Sequence, residues 1–152
     1  MKKTKWKGGA LIAPLPPVMV SCGTPEQPNV LTVAWTGIIN TIPPKTYISV
    51  RPTRYSYSII KDSGEFVINL ATSDLVRAVD FCGVRSGAQI DKFKEMQLTP
   101  VSSTEITAPM IDECPLSMEC KVTQIIPLGS HDMFLAEILA VHVDETLIDA
   151  QG

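Results

Sequence analysis

Twelve prolines punctuate this chain of 152 residues, most of them between short apolar runs. Proline lacks a backbone donor and clashes with the preceding helical turn, so long helices are excluded wherever it recurs. It is tolerated in turns and at strand edges. The spacing therefore predicts short strands joined by rigid turns. Val18 to Cys22 reads as a first strand, closed by Gly23-Thr24-Pro25. Asn29 to Ile39, rich in Val, Ile, Thr and Trp, reads as one long strand. Asn40 to Pro44 reads as a turn, with further strands at Thr46 to Val50 and Phe66 to Leu70. Met118 to Ile126 alternates: Met118, Cys120 and Val122 take an apolar face, Glu119, Lys121 and Thr123 a polar one. Met133 to Val143 is nearly all apolar, which predicts a strand covered on both faces.

Helices are few and short. Thr53 to Asp62 follows Pro52 and stops before Gly64, a residue suited to a C-terminal cap. Asp74 to Phe81 carries Ser73 or Asp74 as its N-cap, and Ala88 to Met96 reads as a short polar helix. Strands follow one another without regular βα alternation, so a parallel doubly wound sheet is disfavoured. The expected architecture is mainly β, a closed or partly closed antiparallel barrel.

With 45% hydrophobic and 19% charged residues, the chain is globular and long enough for one domain, taken as 1–152. Thirteen basic residues against 16 acidic ones leave a net charge of −3 and no broad basic surface, which argues against nucleic acid. Lys2, Lys3, Lys5 and Lys7 read as a solvated tail. The apolar run from Ala10 to Val20 is too short for a membrane span and holds Pro14, Pro16 and Pro17. Those prolines, and the lack of a small-x-small cleavage site, argue against a signal peptide and for a cytoplasmic protein. Cys22, Cys82, Cys114 and Cys120 show no Cys-x-x-Cys spacing and read as free thiols. No dinucleotide fingerprint, P-loop, zincin motif or nucleophile elbow occurs, and only His131 and His142 are available as imidazoles, so no metal site is expected.

Four segments carry chemistry. In Asn29 to Gly37, small and hydroxyl residues share a strand with an aromatic. A strand beneath a flat ligand needs small residues for close approach and hydroxyls for polar edges. Period two puts Thr32, Ala34 and Thr36 on one face, Val33 and Trp35 on the other. The same residues are also ordinary strand formers. In Ser49 to Ser56 a strand end meets a helix start with Arg51, Thr53, Arg54 and Ser56 at the join. Helix amides, guanidinium groups and hydroxyls together suit a phosphate; the plainer reading is a solvated strand end with Thr53 as the N-cap. Ser86-Gly87 followed by Asp91-Lys92-Phe93 is a third segment, in which Lys92 offers charge to a phosphate or ring carbonyl. The fourth is the turn Pro127 to Asp132, whose His131 is structural unless the turn meets a ligand. His142 reads as an edge histidine, and Cys22, Cys82 and Cys120 as inert core residues.

These segments resemble the flavin reductase-like family of FMN-binding split barrels, most closely its flavoredoxin-type branch. The likeness runs from about Ala13 to about Val143 and is densest in Asn29 to Ser56. Gly64 to Asn69, Asp91-Lys92-Phe93 and Gly129-Ser130-His131 add to it. The last resembles a Gly-Asp-His turn, with Ser130 in place of the Asp. The resemblance implies a six-stranded antiparallel Greek-key split barrel that forms a homodimer with FMN near the interface. It implies flavin contacts from Thr32, Val33, Ala34, Trp35 and Thr36, and phosphate contacts from Arg51, Thr53 or Arg54, and Ser56. Asn29 and Lys92 become outer contacts, and the catalytic position falls on His131. Family members usually continue past the last strand, so a C-terminal segment is expected beyond the turn-like Asp149 to Gly152. The implied activity is NAD(P)H:flavin oxidoreduction or flavin-mediated electron transfer. The alternatives are a non-catalytic carrier fed by a redox partner protein, and a β-barrel interaction protein that has lost its flavin.

Overall fold

The computed structural model describes residues 1–151. Nine strands and three α-helices follow one another: β1 (Val18–Thr24), β2 (Gln27–Val33), β3 (Thr36–Thr41), β4 (Pro44–Val50), α1 (Tyr55–Ser63) and β5 (Glu65–Leu70). A 3-10 turn then leads into α2 (Val76–Val84), α3 (Lys92–Glu95), β6 (Pro100–Val101), β7 (Met110–Ile111), β8 (Leu116–Pro127) and β9 (Asp132–Val143). None of these helices is long and apolar enough to cross a membrane.

Seven strands form one antiparallel sheet in the order β2-β1-β5-β8-β9-β4-β3, and β6 pairs with β7. β2 and β3 lie at opposite edges, yet only Ala34 and Trp35 separate them. Three Cα–Cα steps reach roughly 11 Å at most, so the sheet must curl until its edges meet. The Ser49 amide donates to the Trp35 carbonyl at 3.0 Å, which extends the β3–β4 ladder back to the bend. The expected mainly β split barrel is the architecture observed. Its sheet has seven strands because the single strand expected from Asn29 to Ile39 is two. The chain bends at Ala34 and Trp35, and each half pairs with a different neighbour.

Alternation explains the uninterrupted burial of β1. Val18, Val20 and Cys22 face the barrel interior with Phe66, Ile48 and Phe134. Met19 faces outward, into a second core with Val79, Cys82 and Phe93 from α2 and α3. Ile60 of α1 enters the barrel core, and the Tyr57 ring meets Phe134 edge-on at 5.4 Å. Gly64 ends α1 with φ +69°, the left-handed conformation a C-terminal glycine supplies. Buried Asn69 ties the sheet together. Its amide donates to the Met19 carbonyl and Ser21, and its oxygen accepts from the Ile111 amide and Ser117.

Three details depart from the expected elements. Glu119, on the polar face by alternation, is fully buried. Its carboxylate accepts from the amides of Thr104, Glu105 and Ile106, and lies 2.6 Å from His142 Nε2. A bulge between Glu119 and Cys120 shifts the register at this point. β9 is covered on both faces only in its first half; Leu139, Val141 and Val143 are exposed. The helix expected from Ala88 to Met96 shrinks to α3, with the Asp91 side chain accepting from the Lys94 amide as its cap.

Candidate functional site

Where the sheet edges meet α1 and α2, two cavities lie side by side. The larger, about 430 Å³, is lined by Arg51, Arg54, Arg85 and Lys92, with Thr53, Ser56 and Ser86 between them. α1 starts there: Arg54 is its N-cap residue, and no side chain caps it. The alternative role of Thr53 as N-cap is therefore not realised. The first-turn amides of α1 face a cluster of cations, an arrangement that attracts an anion.

Lys92 is the most informative member. It is 4% exposed, and its ammonium donates to the carbonyls of Cys82 (3.2 Å) and Arg85 (3.3 Å). Burial pushes its pKa below the ordinary lysine value, and nearby Arg54 adds to that. The only ion pairs among the described residues are Lys121–Glu65 and His142–Glu119. Thus none of the four cations in this cavity has a carboxylate within ion-pair distance. Arg51, Arg54 and Arg85 are exposed, but Lys92 is buried, and buried charges are normally paired, so the set fits an anion from outside the chain. The flavin phosphate expected from the sequence is such an anion, and the fit is of charge, hydroxyls and helix amides together.

Ser56 is buried behind this wall and accepts a 2.6 Å hydrogen bond from the Asn29 amide. Gly87 closes the same corner. A Cβ there would lie 2.1 Å from Asn29 Oδ1 and 2.9 Å from the Tyr55 ring, so no larger residue fits without displacing them.

The second cavity, about 160 Å³, shares Leu31, Arg51 and Arg54 with the first. Thr32, Val33, Ala34, Trp35 and His131 form its wall. The Trp35 and His131 rings are 4.6 Å apart, tilted by 44°. Burial, then the charges of Arg51 and Arg54, hold the His131 pKa below its usual value and favour the neutral imidazole. The Tyr57 hydroxyl donates to Asp132, tying α1 to the turn that carries His131.

Eleven of the twelve sequence-derived site residues line these cavities or, for Asn29, brace a lining residue. Thr36 does not: it lies beyond the bend, and its hydroxyl donates to the Tyr47 carbonyl at 2.6 Å. Thr32 donates to the Val79 carbonyl on the α2 side. The bend breaks the period-two argument that placed both threonines on one face, and both hydroxyl protons are already committed. Val33 points its side chain into the barrel core, so only its backbone can serve the cavity. Arg85 and Tyr55 also line the cationic cavity and were not assigned to the site by sequence; Cys82, read as a core residue, packs in the second core and borders the cavity as well. Arg85 adjoins the Ser86-Gly87 signal, which was the available clue.

Cys22 and Cys82 lie near Lys92, yet burial pushes both thiols up to about 11. All four cysteines are free and buried. Nothing here activates a thiolate for chemistry.

Residues 12–152 match the model of the flavin reductase like domain. An uncharacterized protein of Archaeoglobus fulgidus is 36% identical over 116 residues, 76% of this chain. That stretch is 66% of the relative, so the chain spans just under two thirds of it. Among solved structures, flavoredoxin of Desulfovibrio vulgaris (Miyazaki F) superposes with a TM-score of 0.91 at 33% identity, over 99% of this chain and 81% of its own. Flavoredoxin from Methanosarcina acetivorans gives 0.88 at 27% identity, over 98% and 79%.

Proposed function

The chain belongs to the flavin reductase-like family, and from that membership we propose that it is an FMN-binding oxidoreductase that takes electrons from NADH or NADPH. The observation that carries this reading is the cationic cavity, whose four positive side chains lack a carboxylate partner and adjoin the strand wall from Leu31 to Trp35. FMN would supply the hydride and electron chemistry. The protein's residues bind and orient. Arg51, Arg54, Arg85 and Lys92 neutralise the phosphate; Ser56 and the amides of α1 add donors; Thr53 rims the same cavity. The backbone from Leu31 to Trp35 forms the floor for the ring. His131, held neutral, offers one hydrogen bond at the ring edge and can hold or release a proton there.

A carrier fed by a protein donor is the second reading. Ser130 beside His131, in place of the acidic residue of reductase-type turns, favours it. A homodimer, with the exposed apolar stripe of Leu139, Val141 and Val143 covered, and a cytoplasmic setting for the four free thiols, go with either reading. Anaerobic addition of NADH, then NADPH, to the FMN-loaded protein separates them. Bleaching of the oxidised-flavin bands supports the reductase. Retained flavin that neither nucleotide bleaches supports the carrier. A chain that keeps no FMN contradicts both.

A further inference from the structure

Arg51 and Arg54 stand between the two cavities and line both. On one side they join Arg85 and Lys92; on the other they share a wall with His131. The same guanidinium groups therefore serve an anion and face an imidazole. Apart from those two arginines, His131 is the one titratable side chain lining the ring cavity among the described residues, and no carboxylate lines it. The adjacent carboxylate in sequence, Asp132, accepts from the Tyr57 hydroxyl at 2.5 Å. Against the imidazole lie the Trp35 indole, 4.6 Å away, and the Ser130 hydroxyl, 3.0 Å from Nδ1. Both tolerate either charge state of the ring, since a hydroxyl donates or accepts and an aromatic face attracts a cation. Burial, then the charges of Arg51 and Arg54, disfavour the imidazolium. Of these causes, only the two charges are open to a ligand that binds outside the ring cavity.

We propose that a dianion in the cationic cavity sets the proton affinity of His131: the imidazole sheds its proton readily beside the empty cavity and holds it when the anion is bound. The anion offsets the charges of Arg51 and Arg54, so their repulsion of an imidazolium falls, and the proton comes from solvent. Linkage makes the effect reciprocal: the anion favours the proton, and the proton favours the anion by the same factor. No movement of the chain is required, because both arginines already border both cavities. The coupling deepens the flavin reading, on which its meaning for the reaction rests. The phosphate that anchors a flavin also charges the side chain that passes a proton at the ring edge, and a ring without a phosphate meets a neutral His131.

Sulfate is the probe, because it stays a dianion from about pH 5 to 9, a range in which phosphate itself titrates. Ring-proton NMR of the flavin-free full chain follows both histidines against pH, and the signal lost in His131→Gln identifies His131. Saturating sodium sulfate is expected to raise the proton affinity of His131 at least about threefold over sodium chloride of equal ionic strength, the control for screening. In reverse, sulfate should bind at least about threefold more tightly below the His131 midpoint than above it, and His131→Gln should flatten that difference. Arg51→Ala alters an exposed side chain, so the fold is not at risk. It should raise the His131 midpoint with no anion present and shrink the response to sulfate, and Arg51→Lys should restore both. A midpoint that saturating sulfate leaves in place, that chloride moves as far, or that Arg51→Ala does not raise would each overturn the proposal, as would an absence of sulfate binding. Sulfate that binds without moving His131 overturns the coupling and leaves the flavin reading intact. FMN that fails to bind while sulfate moves His131 overturns the flavin reading and supports the coupling.

Discussion

Lys92 shows how a single side chain can announce a ligand. A buried ammonium that donates only to backbone carbonyls, beside three arginines and no carboxylate, is electrostatically incomplete. Charge-assisted hydrogen bonds contribute about 1.5–3 kcal/mol each. Removing Arg51 by Arg51→Ala should therefore weaken FMN by roughly 10- to 100-fold in a fluorescence titration. Riboflavin, which lacks the phosphate, should lose far less. An Arg51→Ala variant that binds FMN as the native chain does would remove Arg51 from the phosphate site. Gly87→Ala probes the same corner sterically. Its methyl would strike Asn29 and push it off Ser56, so FMN affinity should fall while the thermal midpoint moves less than in a core deletion. The thiols give a third check at this scale. With pKa values near 11 and burial, Cys22 and Cys82 should not react with a thiol reagent at neutral pH until the protein unfolds.

At the scale of elements, strand composition and helix punctuation were legible in the sequence, and the places where they misled are physical. The Val-Ile-Thr-Trp run from Asn29 to Ile39 holds good strand residues throughout, and nothing local marks the bend at Ala34 and Trp35. That bend exists because the curled sheet must pass from one edge to the other, a tertiary requirement. Arg51, Thr53, Arg54 and Ser56 were readable because one strand–helix junction holds them all. Arg85 was not, since only the packing of α2 on β2 brings it there. Glu119 is the clearest case of the long-range kind. Alternation places it on a polar face, and the segment between β6 and β7 folds over that position with three amides. Burial alone would raise its pKa, but the donors from Thr104, Glu105 and His142 outweigh that and hold it below the ordinary carboxylate value. A carboxylate with a lowered folded pKa adds stability above its unfolded value and loses it as pH falls through the folded one. Acid unfolding of the native chain should therefore depend on Glu119. In Glu119→Gln this contribution is gone, so stability at pH 7 falls while the gap to the native chain narrows below about pH 4. A constant gap across that range, followed by circular dichroism, would contradict the assignment.

In the whole molecule, the meeting edges of a curled sheet, together with the start of α1 and the end of α2, build a cationic cavity against a strand floor. Barrel integrity is a precondition. Phe134 is fully buried at its centre, and Phe134→Ala should cost about 3–5 kcal/mol in a urea titration, a loss that one exposed rim residue does not approach. The exposed stripe of Leu139, Val141 and Val143 predicts self-association, and sedimentation of the native chain should show a dimer at micromolar concentration. With the barrel intact, the cationic cavity is proposed to hold a flavin by its phosphate. The most direct measurement is a paired titration of the flavin-free full chain with FMN and with riboflavin at fixed salt. FMN is expected to bind at least about a hundredfold tighter than riboflavin, with the difference shrinking as salt rises. Equal affinities for the two, or no binding of either, would contradict it.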